Sequence, residues 1–282
     1  MFRYGVQCAF QDLPERMPVV FRGSLRQVAE DSRKAGYEAM ELYICNPKDY
    51  NAAELKAVAA DNGLGYSAIC TGLEKILNQL CLTSEDASVR AKAVDRLKEH
   101  LDLGVAIGCP VVVGTMRGDI PAWDQRQVYL DRLADALRQL DAYAAEIGGE
   151  LLVENILQYV SNYLNSLDEV GGFLRELNLP HVKLHIDTHS MHMEETKPFD
   201  AVRKFGDILG YVHFSDSNRG YPGSGVVDFK SYFHALMDVD YRGYIVAEYQ
   251  PYPTAMESAV RGLEYMKLLE RAAEIERLEF KR

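Results

Sequence analysis

Cysteine is scarce in this sequence, and the cysteines present show no metal-binding or redox spacing. The five of them form no CxxC pair: Cys8, Cys45, Cys70, Cys81 and Cys109. A disulfide framework normally uses an even number of cysteines, and structural zinc sites normally use closely spaced pairs. The lack of both patterns favours a reduced protein, so we expect a cytoplasmic location.

Long apolar runs and an excess of basic residues are also absent. No run approaches the roughly 18 apolar residues of a membrane span, and the first thirteen residues lack the charged start and apolar stretch of a signal peptide. The chain has 31 Lys and Arg against 42 Asp and Glu, a net charge of -11. Duplex-binding proteins usually present a basic surface. We therefore expect neither a membrane nor a nucleic acid as a partner.

No linker divides the chain. The sequence contains no Pro-rich or Ser-rich stretch and no block of like charge, so it gives no sign of a domain boundary. Its 48% apolar and 26% charged residues are typical of a globular protein. A chain of 282 residues is long enough for two ordinary domains or for one large α/β barrel. We interpret residues 1–282 as a single domain.

The sequence instead alternates strand-like and helix-like segments. Helical periodicity is clearest in Ser88–Ile107, where Val94, Leu97 and Leu101 recur at steps of three and four residues. Eight β-branched and aromatic runs are spread along the chain: Tyr4–Cys8, Ala39–Ile44, Tyr66–Cys70, Val111–Gly114, Glu150–Asn155, His181–Asp187, Gly210–Ser215 and Tyr244–Tyr249. This alternation predicts a (β/α)8 barrel. A doubly wound dinucleotide fold has no local support, because no GxGxxG motif follows the first strand.

Ionisable side chains end the last four predicted strands. The active site of a (β/α)8 barrel lies at the carboxyl ends of its strands, where this sequence places Glu154, Asp187, His213 and Glu248. One such residue alone would pass as an ordinary loop or capping residue. Four of them on one rim would repel one another and be poorly solvated without a cation. Three carboxylates and one imidazole suit a divalent ion such as Mn²⁺, Mg²⁺ or Co²⁺ better than a structural zinc.

The loop after the seventh predicted strand carries a cation close to this rim. Residues 216–225 are rich in Gly, Ser and Asn, so a plain chain reversal is one interpretation. The other is that Arg219, six residues after His213, reaches back over the barrel mouth.

Two histidines share a strand face with Asp187, because side chains of a strand alternate with a period of two. We interpret His185, the deeper one, as a hydrogen-bonded core residue and His189 as a residue of the site. Further candidates for the pocket wall follow or end the second, third and fourth predicted strands: Glu41, Tyr43, Cys70, Thr71, Met116, Arg117 and Trp123. A core or surface position is the alternative for each of them.

These motifs resemble the xylose-isomerase-like TIM barrel superfamily and, within it, the tagatose 3-epimerase-like sugar or sugar-phosphate isomerases and epimerases. The resemblance extends over essentially the whole chain. It is carried by Val153–Asn155, Ile186–Thr188, His213–Arg219, Pro222–Gly225 and Ala247–Glu248. It implies a single (β/α)8 barrel and an isomerase that depends on a divalent metal ion.

The resemblance also implies roles for the strand-end residues. Glu154, Asp187, His213 and Glu248 would bind one divalent ion, most commonly Mn²⁺, with Co²⁺, Mg²⁺ or Zn²⁺ as alternatives. Glu154 and Glu248 would also be the catalytic acid and base. One would remove a proton next to a ketose carbonyl, and the other would return a proton to the opposite face of the planar enediolate.

We assign substrate binding to Arg219, His189 and Asp216. The sequence departs from the family at two positions, since Val160 and Ser190 stand where the epimerases often carry Glu and His. Valine offers no hydrogen-bond acceptor to a sugar hydroxyl. We therefore expect weak activity on free ketohexoses and a preference for a shortened, deoxy or carboxylated sugar.

The sequence is also compatible with other functions. A metal-assisted dehydratase or an aldose–ketose isomerase would use the same four ligands on the same barrel. An abasic-site endonuclease is disfavoured by the acidic charge and by the absence of His in Tyr66–Gly72 and Val111–Arg117. A non-catalytic sugar-binding barrel is disfavoured because all four ligands and Arg219 are present. The identity of the sugar and the oligomeric state, with a homodimer or homotetramer as candidates, stay open.

Overall fold

The computed structural model describes residues 1–11, 13–14 and 16–279. Eight parallel strands close into a barrel, in which each strand pairs with the next along the chain and the last pairs with the first. A two-residue strand, Phe21–Arg22, adds to the end of the first barrel strand. We number the barrel strands β1 to β8: Arg3–Ala9, Ala39–Tyr43, Gly65–Cys70, Val111–Val113, Leu151–Glu154, Val182–Asp187, Leu209–Phe214 and Tyr244–Ala247. The predicted (β/α)8 fold is confirmed.

Helices connect the strands and cover the outside of the barrel. The described residues form α1 to α10: Leu25–Ala35, Ala52–Asp61, Gly72–Asn78, Ala87–Ile107, Arg126–Ile147, Leu167–Leu177, Thr188–Glu194, Pro198–Phe205, Phe229–Asp238 and Ala255–Glu279. Short 3-10 helices span Pro47–Asp49, Thr115–Arg117 and Trp123–Gln125. Within these described ranges, none of the helices has both the length and the apolar character that crossing a bilayer requires.

Helix α4 shows how local sequence sets an element boundary. It begins after Asp86, whose carboxylate accepts a hydrogen bond of 2.7 Å from the backbone N–H of Ser88. It ends at Gly108, whose φ of 80° lies in the left-handed region that glycine tolerates best. Pro110 follows and cannot extend the helix. The chain therefore turns after Gly108 and continues into β4.

The inside of the barrel is unusually polar. Outward-facing strand residues pack against the helices, whereas inward-facing residues such as Ala68, Val112, Leu152 and Val246 form a second, smaller apolar cluster. Branched aliphatic side chains usually fill this space, but here it also holds buried polar side chains, which are Gln7, Glu41, Ser67, His185 and His213. Buried polar groups need partners. Four of these five side chains hydrogen-bond to another buried side chain, and His185 is the exception.

Candidate metal centre and active site

The four strand-end residues predicted from the sequence meet at one point. Glu154 ends β5, Asp187 ends β6, His213 precedes the last residue of β7, and Glu248 directly follows β8. Asp187 and His213 are paired across the β6–β7 register. One ligand atom from each of the four residues lies within 4.8 Å of the others. The parallel register of the barrel thus gathers three carboxylates and one imidazole.

Asp187 is held in place by the helix that follows it. Its Oδ1 accepts hydrogen bonds from the backbone N–H groups of His189, at 2.7 Å, and Ser190, at 3.1 Å, and so caps α7. Its other oxygen, Oδ2, accepts a hydrogen bond from Arg219. One oxygen is therefore used to fix the side chain, and the other faces the cluster.

The cluster carries more negative charge than its surroundings balance. Burial and the charge of Glu248 raise the pKa of Glu154 to about 8, and the charge of His213 only partly opposes this. Burial also acts to raise the pKa of Glu248, but the charges of Arg219 and His213 outweigh it and lower this pKa to about 2. A carboxylate whose charged form is disfavoured by like charges needs additional positive charge. A divalent cation between the four side chains would supply it.

The donor atoms also fit a divalent cation. His213 Nδ1 is buried and has no hydrogen-bond partner among the described residues, and it lies 3.4 Å from Glu248 Oε2. The other ring nitrogen, Nε2, lies 2.7 Å from Glu41 Oε2. An unpartnered imidazole nitrogen among three carboxylates is a suitable ligand set for Mn²⁺, Co²⁺ or Mg²⁺.

Arg219 reaches back to this cluster, as its spacing from His213 predicts. Its guanidinium donates hydrogen bonds to Asp187 Oδ2 and Glu248 Oε2, and to Ser215 Oγ at 3.1 Å. Its backbone φ of 58° is left-handed, a conformation that costs a non-glycine residue about 1 kcal/mol or more and is concentrated at functional sites. The loop therefore places one fixed cation beside the three carboxylates.

Asp216 has a different position from the one expected of a substrate ligand. Its buried carboxylate accepts hydrogen bonds from the backbone N–H groups of Ser217, Gly223 and Val227 at 2.8 to 3.0 Å. These three bonds hold the loop that carries Arg219. The side chain faces its own loop and is not part of the cavity wall, so we assign Asp216 to loop structure rather than to substrate contact.

The two histidines of β6 and α7 have different surroundings. His189 lines the cavity, and its Nδ1 lies 3.1 Å from the backbone oxygen of Asp216. His185 is a core residue, but neither of its ring nitrogens has a hydrogen-bond partner among the described residues. Its ring instead packs edge-on against His213 and Tyr211, with centroids 4.2 and 5.1 Å away. The predicted core position of His185 is therefore confirmed, whereas the predicted hydrogen bond is wrong.

A cavity of about 360 Å³ opens above the cluster, a volume in the usual range for small-molecule sites. Polar side chains of the cluster line part of it, together with Arg219 and His189. Much of the remaining lining is apolar: Met17, Tyr43, Cys70, Ile76, Leu157 and Val160. Of the predicted wall residues, Tyr43 and Cys70 are part of this lining, whereas Glu41, Thr71, Met116, Arg117 and Trp123 are not.

Arg117 is a buried support for the site rather than a wall residue. Its guanidinium donates to the backbone oxygens of Glu154, Tyr163 and Leu164 at 2.8 to 3.1 Å. These bonds tie the segment after β5 to the 3-10 helix after β4. Arginine suits this role because its planar group presents five N–H donors.

Two further residues of the site were not recognised from the sequence as its partners. Gln7 on β1 and Glu41 on β2 are completely buried and contact His213 and Glu248 from below. The sequence did indicate that Glu41 has a polar partner, because a charged residue inside an otherwise apolar strand needs one. Gln7 gave no comparable signal, since an uncharged amide is tolerated in many environments.

Comparison with known proteins agrees with this fold. Residues 29–269 match the family model described as a xylose isomerase-like TIM barrel. An L-ribulose 3-epimerase from Methylomonas sp. (strain DH-1) is 34% identical over 227 residues, which cover 79% of this chain and 77% of that protein. A 3-dehydro-D-guloside 4-epimerase from Escherichia coli (strain K12) is 30% identical over 203 residues, with 70% and 77% covered.

A solved structure gives the same result. The crystal structure of D-allulose 3-epimerase from Methylomonas sp. in complex with D-allulose superposes with a TM-score of 0.81 at 27% identity, and the match covers 95% of this chain and 96% of that one. The matched family model spans most of the residues that form the barrel. This chain therefore belongs to the xylose isomerase-like TIM barrel family, and its named relatives are sugar epimerases.

Proposed function

We propose that this protein is a divalent-metal-dependent epimerase that inverts the carbon next to the carbonyl of a ketose or keto-sugar. The observation that carries the proposal is the cluster of Glu154, Asp187, His213 and Glu248 beneath a cavity of small-molecule size. The names of its relatives support a ketose or a dehydro-sugar as the substrate class.

The four clustered side chains would hold one ion, with Mn²⁺ as the first candidate and Co²⁺, Mg²⁺ or Zn²⁺ as alternatives. A divalent ion at this place would polarise the substrate carbonyl and stabilise the negative charge that develops during proton removal. The donor set supports the assignment, because it combines three carboxylates with an imidazole nitrogen that has no hydrogen-bond partner in the described chain.

Glu154 and Glu248 are the proposed acid and base. They stand at the ends of β5 and β8, with two strands between them, so their carboxylates approach the reacting carbon from different directions. One carboxylate oxygen removes the proton, and the other glutamate delivers a proton to the opposite face, which inverts the centre. Arg219 is 20% exposed at its side chain and borders the cavity, and its donors would orient substrate oxygens.

Val160 supports a substrate that is less polar at one end. Its side chain lines the cavity and is half-exposed, near the apolar Ile76 and Leu157 of the same lining. A sugar hydroxyl placed there would find no acceptor on these side chains. Arg219 is already paired with Asp187 and Glu248, which weakens the case for a carboxylated sugar. We therefore propose a deoxy, shortened or substituted keto-sugar.

The test combines metal analysis with a substrate panel. Protein loaded with Mn²⁺, Co²⁺, Mg²⁺ or Zn²⁺ is incubated with ketoses, deoxyketoses and 3-dehydro-glycosides, and the products are identified by NMR. We expect about one ion per chain and a product that differs from the substrate at one stereocentre. An aldose product would show an aldose–ketose isomerase, and loss of water would show a dehydratase. Either result would contradict the epimerase assignment.

A further inference from the structure

Beneath the candidate metal centre, four buried side chains form a closed ring of polar contacts. Gln7 and Glu41 are register partners on β1 and β2. Gln7 Nε2 donates to Glu41 Oε1 at 2.6 Å and to Glu248 Oε1 at 3.0 Å. Glu41 Oε2 lies 2.7 Å from His213 Nε2, and His213 Nδ1 lies 3.4 Å from Glu248 Oε2. The ring therefore joins two residues outside the ligand set to two residues inside it.

The contact between Glu41 and His213 selects one ring nitrogen. Because Nε2 faces Glu41, only Nδ1 remains to face the carboxylates of the cluster. Histidine ligands of metal ions generally donate their other N–H to a carboxylate or carbonyl, which fixes the orientation of the ring. Both side chains are completely buried, so the imidazole cannot turn without losing this bond.

The contact between Gln7 and Glu248 likewise determines which carboxylate oxygen of Glu248 faces the cluster. Its amide nitrogen has two N–H donors, and each of them serves a different carboxylate. The contact occupies Glu248 Oε1, whereas Oε2 is the oxygen that faces Arg219 and His213. The amide oxygen of Gln7 has no hydrogen-bond partner in the described part of the chain. A buried acceptor without a partner opposes folding, which is consistent with a functional role for this side chain.

We propose that Gln7 and Glu41 are positioning residues of the metal centre, Glu41 by presenting Nδ1 of His213 and Gln7 by presenting Oε2 of Glu248 as ligand atoms. Neither residue belongs to the cavity lining, so they act through the ligands and not on the sugar. The inference rests on the proposed function because it requires that the four-residue cluster binds a metal ion.

The test is Mn²⁺ binding by isothermal titration to the 282-residue chain after removal of metal with a chelator. The variants are Glu41→Gln and Gln7→Leu, which keep the side-chain volume nearly constant. Glu270→Gln is the matched control, because Glu270 is also a buried carboxylate with two short hydrogen bonds, from Phe2 N at 2.7 Å and Tyr4 Oη at 2.8 Å, in another part of the barrel.

We expect Glu41→Gln to weaken Mn²⁺ binding by about 10- to 100-fold, Gln7→Leu to weaken it by a smaller factor, and Glu270→Gln to keep the wild-type affinity. The visible absorption spectrum of the Co²⁺-loaded protein gives a second measurement, which reports ligand geometry. It should change in Glu41→Gln and stay unchanged in Glu270→Gln. A purely structural role of Glu41 would lower the Tm without changing this spectrum.

Three results would overturn the inference. Wild-type affinity and an unchanged Co²⁺ spectrum in a folded Glu41→Gln variant would remove the role of Glu41 and leave the proposed function standing. If Glu41→Gln does not fold, Gln7→Leu provides the test. Wild-type Mn²⁺ affinity in Gln7→Leu would then show that the ring of polar contacts does not position the metal ligands. If the wild-type chain itself binds no Mn²⁺, the metal-dependent function fails first and the inference fails with it.

Discussion

Two glutamates at different places in the barrel have opposite surroundings. Glu270 on α10 is 4% exposed and accepts hydrogen bonds from Phe2 N and Tyr4 Oη. Glu154 at the mouth accepts no side-chain hydrogen bond from the described residues and lies against Asp187 and Glu248. A carboxylate that accepts hydrogen bonds stabilises the fold. A carboxylate that lies beside like charges and accepts no hydrogen bond has both oxygens available to bind a cation. We therefore propose that the same residue type serves structure at Glu270 and cation binding at Glu154.

The largest effect on kcat should come from replacing a glutamate at the mouth of the barrel with glutamine, which has nearly the same shape but cannot act as an acid or base. Glu154→Gln or Glu248→Gln in the metal-loaded protein should lower kcat by about 100- to 10,000-fold, because acid–base catalysis contributes that much. Circular dichroism should show a folded barrel in both variants. The matched variant Glu270→Gln should keep wild-type kcat. Normal turnover of metal-loaded Glu154→Gln would show that this residue is not an acid or base.

A smaller loss is expected when the fixed cation of the mouth is removed. Arg219→Met should lower kcat/KM by about 10- to 100-fold, because hydrogen bonds to charged groups contribute roughly 1.5 to 3 kcal/mol. Arg261→Met is a matched control, since Arg261 is an exposed arginine with an ion pair to Glu257. An Arg219→Met variant with wild-type kcat/KM would separate this side chain from the reaction.

Stability measurements sharpen the comparison between the two glutamates. Glu270→Gln should lower the free energy of unfolding by about 1 to 3 kcal/mol, because it weakens two buried hydrogen bonds. Glu154→Gln in chelator-treated protein should leave this free energy unchanged or raise it. Burial and the charges of Glu248 and Asp187 raise the pKa of Glu154 to about 8, so at neutral pH folding requires this carboxylate to take up a proton, whereas glutamine has no such requirement. Urea denaturation at neutral pH measures both. Equal destabilisation by the two variants would contradict the distinction.

The smallest effect should come from the apolar part of the cavity. Val160→Glu adds an acceptor for sugar hydroxyls, and the ratio of kcat/KM for D-allulose to that for a deoxyketose should rise by no more than about 10-fold, because the position is half-exposed. Val160→Thr supplies a smaller polar control. A wild-type protein already as efficient on D-allulose as on the deoxyketoses would contradict the proposed preference.

The sequence predicted that Glu154, Asp187, His213 and Glu248 would lie together at the mouth of the barrel, because they share a simple rule. Each lies within one residue of the end of an apolar strand, and parallel pairing brings the carboxyl ends of neighbouring strands together, as it does for Asp187 and His213. The reach of Arg219 was also predictable from its spacing. Its left-handed backbone was not, because that conformation depends on the hydrogen bonds of the surrounding loop.

The residues that support the site were harder to predict, because their roles depend on partners distant in the sequence. Glu41 meets His213 across the barrel interior, and Asp216 uses its carboxylate on backbone groups of its own loop. Asp86 caps α4, although Thr83 and Ser84 lie shortly before it in the sequence. In each case several residues of the right chemistry were available, and only the packed structure selects between them.

The central claim is that Glu154 and Glu248 exchange protons with the substrate carbon at the metal centre. The most direct measurement is the reaction of the metal-loaded protein with a ketose in D₂O, followed by NMR and mass spectrometry of the epimer. We predict one deuterium at the inverted carbon, and epimer formation that is slower by about 100-fold or more in the Glu248→Gln variant. An epimer that contains no deuterium would show a hydride shift or a shielded proton, and would contradict the two-glutamate account.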